Sequence, residues 1–239
     1  MKELQIDGNT ISVVEKKIVH TTTIDAFLET LAKTQSINTG ILPSGCKLLF
    51  KAQGGKTSVY VIERHPGITA LAFHEEKHRA STVKDIKLSL PFIQFYVALT
   101  PCPKGYAFQG VFTSCTKIPL MHMEDPVFVL PLPNIFDRGE GKVCTGDISV
   151  SMGSPAQICE ELVSAFFSAP SNLDLSAEYP REISVRNDHK KSLEAWQEKS
   201  EGNPLFGISK EITYNQFSSC DKSTLDGRIK NIISRLNRD

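Results

Sequence analysis

Six cysteines (Cys46, Cys102, Cys115, Cys144, Cys159 and Cys220) are scattered through 239 residues without a C-x-x-C pair. That distribution argues against a zinc ribbon or a small disulfide scaffold and for a reducing compartment. Cys144 differs from the rest in its surroundings. It follows Gly139-Glu140-Gly141-Lys142-Val143 and precedes Thr145-Gly146-Asp147, inside a stretch from 119 to 155 punctuated by Pro119, Pro126, Pro131, Pro133 and Pro155. Such a run is mostly shaped loop, and loops of that length are often functional. A thiolate accepts an acyl group from another thioester with little change in bond energy. A relay of activated carboxyl groups therefore needs an accessible Cys more than a strong base. Taken singly, Cys144 also reads as a small buried neighbour of Val143, and Asn134 as a turn former after Pro133.

Other residue patterns compete for attention. His74-Glu75-Glu76-Lys77-His78 matches H-E-x-x-H, which on a helix sets two imidazoles one turn apart for zinc with Glu75 as general base, the chemistry of a metallopeptidase. The preceding Ile68 to Phe73 reads as a strand, both internal positions are charged and no clear third ligand follows. A charged solvent loop is the preferred reading, and no metal site is expected. His122, between Met121 and Met123, is a candidate base for Cys144 in a cysteine hydrolase or, more commonly, a satisfied core histidine. Phe166, Phe167 and Trp196 read as partner-groove anchors or as core, and Arg228, Lys230, Arg235 and Arg238 as a docking face or a solvated one.

The stretch Leu130-Pro131-Leu132-Pro133-Asn134-Ile135-Phe136, followed by Gly141-Lys142-Val143-Cys144, resembles the active-site signature of ubiquitin-conjugating enzymes. There a His-Pro-Asn-apolar element precedes a Gly-containing turn, an apolar residue and the catalytic cysteine. Leu132 stands where that family usually carries His, and ten positions separate Asn134 from Cys144. The resemblance spans about residues 46 to 170. More narrowly it is similar to the bacterial ubiquitin-conjugating-like group found as the B component of PRTRC mobile-element clusters. It implies a transferase that takes an activated ubiquitin-like modifier from an activating enzyme onto Cys144 as a thioester and passes it to an acceptor protein, without a cofactor. Asn134 would then donate to the oxyanion formed during amine attack, and Asp147 would orient the amine or take its proton. A binding module of the same fold that has lost catalysis is the alternative.

These residues need a scaffold. Leu4, Ile6, Ile11 and Val13 flank Asp7-Gly8-Asn9, as in a hairpin, and Thr22 with Asp25 resembles a capping box ahead of a helix bearing Ile24, Phe27, Leu28 and Leu31. From about residue 46, Leu48 to Phe50, Val59 to Ile62, Ile68 to Phe73, Phe92 to Leu99 and Tyr106 to Phe112 read as neighbouring antiparallel strands. Phe92 to Leu99, nearly all apolar, suits a strand covered on both faces. Ser154, Pro155 and Gln157 open a helix with Ile158, Leu162, Ala165 and Phe166 on one side, stopped at Pro170. A short helix near Leu193 and Trp196 and a last one carrying Leu225, Ile229, Ile232, Ile233 and Leu236 form a C-terminal helical extension.

The fold expected is thus α+β: an antiparallel β-meander of about four to six strands flanked by helices, on the ubiquitin-conjugating-enzyme plan. Its segments are 1–45 (hairpin and helix), 46–170 (core) and 171–239 (extension), packed as one unit. Lys plus Arg and Asp plus Glu each total 27, so no global field draws the chain to nucleic acid or anionic membrane, and a protein or small-molecule partner is expected. Neither an export signal nor an apolar run of spanning length is apparent, and a cytoplasmic location follows as the expectation.

Overall fold

In the computed structural model, the residues described are 3–7, 10–14, 18–23, 42–51, 56–74, 83–137, 141–145, 153–171, 179–186, 188–217 and 223–236. They fall into two compact units, Met1–Gly40 and Ile41–Asp239. In the first, β1 (Glu3–Asp7) and β2 (Thr10–Val14) pair antiparallel, Ile6 opposite Ile11, which is the expected hairpin. The partner expected for Thr22 in a capping box, Asp25, lies outside the described residues. Thr22 lies opposite Ile11 in a third strand, β3 (Ile18–Thr23), hydrogen-bonded along β2. Five of its six residues are β-branched, and this stiffness at χ1 favours a pleated strand over a helix start. The expected apolar stripe from Ile24 to Leu31 lies outside the described residues.

The second unit is α+β. It contains β4 (Cys46–Lys51), β5 (Ser58–Arg64), β6 (Gly67–His74), β7 (Val83–Leu90), β8 (Phe92–Cys102), β9 (Gly105–Thr116), β10 (Ile135–Asp137) and β11 (Lys142–Val143). Six of these form an antiparallel sheet in the order β10-β11-β9-β8-β5-β4. The meander expectation put Ile68 to Phe73 beside Val59 to Ile62. Instead β5 pairs with β8, and β6 leaves to form a two-stranded ladder with β7. Burial explains the choice. Ser58 to Glu63 and Phe92 to Leu99 are buried at every position, so each strand needs cover on both faces and a central place in the sheet, whereas β6 is only partly buried. β7 escaped the sequence reading although Ile86, Leu88 and Leu90 alternate with Asp85, Lys87 and Ser89.

Alternation along β5, β8 and β9 divides the core in two. Tyr60, Ile62, Ile93, Phe95, Val97, Leu99 and Cys115 join Ile158, Leu162 and Phe166 of α1 (Pro155–Ser168) and Leu193 and Trp196 of α2 (His189–Gly202). Val59, Val61, Tyr96, Ala98 and Phe112 join Leu225, Ile229 and Ile232 of α3 (Leu225–Leu236). A helix therefore covers each face, and each fully buried Leu, Ile or Phe contributes roughly 1.5–3 kcal/mol. Ser154 caps α1 by accepting the Gln157 N–H at 3.3 Å, as its sequence indicates. α2 is bolted to β7: Trp196 Nε1 donates to Ser89 O at 3.1 Å and the Ser89 N–H donates to Ser200 Oγ at 2.8 Å. Among the described residues, no helix is long and apolar enough to cross a membrane.

Candidate functional site around Cys144

The chain reaches the site along a buried path. After β9, Phe128 exchanges two 2.9 Å backbone hydrogen bonds with Cys115, and Val127 and Val129 to Pro133 are buried. Leu132, 2% exposed, belongs to the apolar core with α1. The position that the family resemblance assigns to His is therefore an apolar anchor here. Pro133-Asn134 forms the turn expected of them, and Ile135 returns as β10 to pair with Val143 of β11, both side chains buried.

That pairing closes the ten-residue gap. The Cys144 N–H donates to Asn134 O at 2.9 Å, so the two residues are neighbours in space. Cys144 itself is exposed, which overturns its reading as a buried apolar residue and leaves the thiol open to an incoming acyl group. Asn134 is half-buried, its Nδ2 donating to Phe166 O at 3.3 Å near the C-terminus of α1, while its Oδ1 is buried without a hydrogen-bond partner. An amide nitrogen carries two N–H groups, so one donor remains beyond the bond to Phe166. Asp147 lies outside the described residues, as does Gly146.

Gly141 sets the direction of β11. Its φ of +58° lies in the left-handed region, and its carbonyl accepts from Thr113 N at 2.7 Å and Thr113 Oγ1 at 3.3 Å. A Cβ there would collide with Thr113 O and sit 2.8 Å from Arg228 Nη2. Glycine is thus required both by conformation and by contact.

Cys46, Cys115 and Cys159 are more enclosed than Cys144. Burial pushes the Cys159 thiol up to about 12 and the Cys115 thiol well above its ordinary value, and it also raises Cys46. Burial thus disfavours the thiolate at each of the three. A groove of about 680 Å³, lined by Pro43, Gly45, Arg64, His65, Cys159 and Glu160 among others, and one of about 320 Å³, lined by Lys117, Ile118, Phe128 and Tyr214 among others, both exclude Cys144 from their walls.

His74 ends strand β6 with its N–H on Ser171 O at 2.9 Å, where the zinc motif needs a helix; Glu75 and His78 lie outside the described residues. His122 is exposed in a turn rather than buried in a core: Asp125 Oδ2 accepts from Met121 N at 2.6 Å and His122 N at 2.8 Å. Those two N–H groups hold the Asp125 carboxyl below its ordinary value. Trp196 and Phe166 are core residues at 0% and 3% exposed, while Phe167 is half-buried with the Arg64 guanidinium 4.0 Å above its ring. Lys230 is on a solvated face, 2.6 Å from Asp226, but Arg228 is wholly buried, and neither surface reading applies to it.

A buried polar chain, not foreseen from the sequence, lies on the α3 face. Glu63 Oε2 accepts from Leu120 N at 2.8 Å and Gln94 Nε2 at 3.2 Å, and Glu63 Oε1 lies 3.2 Å from Lys47 Nζ. Gln94 Oε1 accepts from Ser114 Oγ at 3.0 Å, which lies 2.8 Å from the Tyr96 hydroxyl. Burial pushes that phenol up to about 12, so it remains neutral. By holding Leu120, this chain fixes where the polypeptide leaves β9 toward the Pro-rich approach. Isolated polar residues on an apolar strand give the only sequence signal, which explains the omission. Compared with family models, curated proteins and solved structures, the chain matches none.

Proposed function

We propose that the chain is a ubiquitin-conjugating-enzyme-like protein of the bacterial PRTRC type, which carries an activated ubiquitin-like modifier on Cys144 between an activating enzyme and an acceptor protein. The observation that carries this reading is the exposed Cys144 thiol tied through its own N–H to the Asn134 carbonyl. In the first step the Cys144 thiolate attacks the carbonyl carbon of the donor thioester; the new S–C bond forms and the donor thiolate leaves. In the second an acceptor amine attacks. The C–S bond to Cys144 breaks, an amide forms, and the amine proton goes to Asp147 or solvent while Cys144 recovers its thiolate. The free N–H of Asn134 is assigned to the transient oxyanion.

A non-catalytic module of the same fold is the second reading, favoured by the bond from Asn134 to Phe166 O and by the burial of Leu132. The experiment that separates the two is co-expression with the genomic neighbours, followed by intact mass with and without thiol reductant for wild type, Cys144→Ser and Cys144→Ala. A reducible protein-sized adduct on wild type, a stable one on Cys144→Ser and none on Cys144→Ala are expected. Absence of any adduct beside a demonstrably active activating enzyme sinks the relay. Partner retention by Cys144→Ala would then identify the binding module.

A further inference from the structure

We infer that Arg228, on the C-terminal helix, is a positioning residue for the Cys144 segment, an assignment whose catalytic meaning rests on the relay proposed above. Arg228 is 0% exposed, although its helix is otherwise amphipathic and its sequence neighbours Asp226 and Lys230 pair at the surface. A guanidinium cannot shed its charge, so its burial requires a specific environment. Three rings provide it: the Arg228 Cζ lies 4.4 Å from the Phe217 centroid, 5.7 Å from Tyr96 and 6.0 Å from Phe112. At its tip Nη2 lies 3.4 Å from Thr113 O, to which it donates, and against the Cα side of Gly141.

Thr113 is the residue whose N–H and hydroxyl both reach the Gly141 carbonyl. Arg228, Thr113 and Gly141 therefore form a clamp on the start of β11, three residues before the thiol. From there the register runs on without freedom: Lys142 opposite Phe112, Val143 opposite Ile135, and the Cys144 N–H on Asn134 O. Two strand residues are too few to hold their own place in a sheet, and an external support at the left-handed Gly141 is what keeps Cys144 beside Asn134. The helical extension thereby becomes part of the apparatus that builds the site.

Arg228→Met tests this, because an unbranched apolar side chain of similar length can fill the ring-lined space, and such replacements of buried charge are often neutral for global stability. Amide hydrogen exchange is measured on wild type, Arg228→Met and Arg228→Lys, together with acylation of Cys144 by the benzyl thioester of acetylglycine and its subsequent aminolysis. Arg228→Met is expected to speed exchange of the Cys144 and Thr113 amides about tenfold or more while amides of β5 and β8 keep their protection. Aminolysis slows in parallel, and Arg228→Lys, a cation without the flat stacking surface, falls between. Unchanged exchange at Cys144 in Arg228→Met overturns the assignment whatever the acyl chemistry does. Faster exchange in a protein that also takes no adduct at Cys144 beside a demonstrably active activating enzyme supports the clamp and removes the relay instead. If Arg228→Met does not fold, exchange of the unaltered protein in sub-denaturing urea decides. One common opening for α3 and the Cys144 amide supports the clamp, and independent openings refute it.

Discussion

Replacing Leu132 by His would restore the residue that the family resemblance expects just before Pro133-Asn134, and the structure predicts that it will damage this protein. Leu132 is 2% exposed in the core that α1 covers. Losing its burial removes roughly 1.5–3 kcal/mol. The imidazole then brings two ring nitrogens into an apolar site, each left without a partner at about 1–3 kcal/mol unless the loop moves. Together these give about 3.5–9 kcal/mol, comparable to the 5–15 kcal/mol that typically holds a folded protein together. For a chain of this size each kcal/mol lowers the thermal midpoint by about 2–4 °C. Urea unfolding of Leu132→His beside Leu132→Ala and Leu132→Met provides the assay. The Ala variant should lose about 2–5 kcal/mol and the Met variant less than about 1.5 kcal/mol. Equal stability of Leu132→His and wild type, or equal damage from Met and His, would refute the view that this position is an apolar anchor.

Two further outcomes follow from the thiols and the carboxylates. Under native conditions near pH 8, iodoacetamide with peptide mapping should label Cys144 before Cys115 and Cys159, whose thiols burial keeps protonated and inaccessible, the Cys159 thiol up to about 12; native labelling of Cys159 as fast as Cys144 would contradict the packing of α1. The Asp125 carboxyl is held below its ordinary 3.8 by the N–H groups of Met121 and His122, so its contribution to stability is fully present above that value and is lost as pH falls through the lower folded one. Asp125→Asn should accordingly flatten the acid limb of the unfolding midpoint between roughly pH 2 and 5, and an unaltered acid limb would mean that the turn does not depend on that charge.

Much of the local structure was legible because it rests on local chemistry. Ser154-Pro155 with Gln157 marks the start of α1, Gly202-Asn203-Pro204 ends α2, and the spacing of Leu225, Ile229 and Ile232 outlines α3. The hairpin around Asp7 and the doubly covered strand at Phe92 to Leu99 were equally readable. Failures came where two local signals conflicted. At Ile18 to Thr23 a β-branched run forms a strand that the capping pattern drew attention away from; at Val83 to Leu90 charged residues masked a clear alternation.

For the site, the residue types and the loop that carries them are determined by the sequence alone. Gly141 before Val143-Cys144 and Pro133 before Asn134 shape the backbone directly, since conformational freedom and its loss are properties of single residues. Which of the cysteines reaches solvent, that Asn134 meets Cys144 through a backbone hydrogen bond, and that Arg228 turns inward to Thr113 and Gly141 were decided only by the tertiary structure. These are relations between residues 10 to 115 positions apart, set by which strands share a sheet and which helix covers each face. Periodicity within one segment carries no information about the segment that will lie against it.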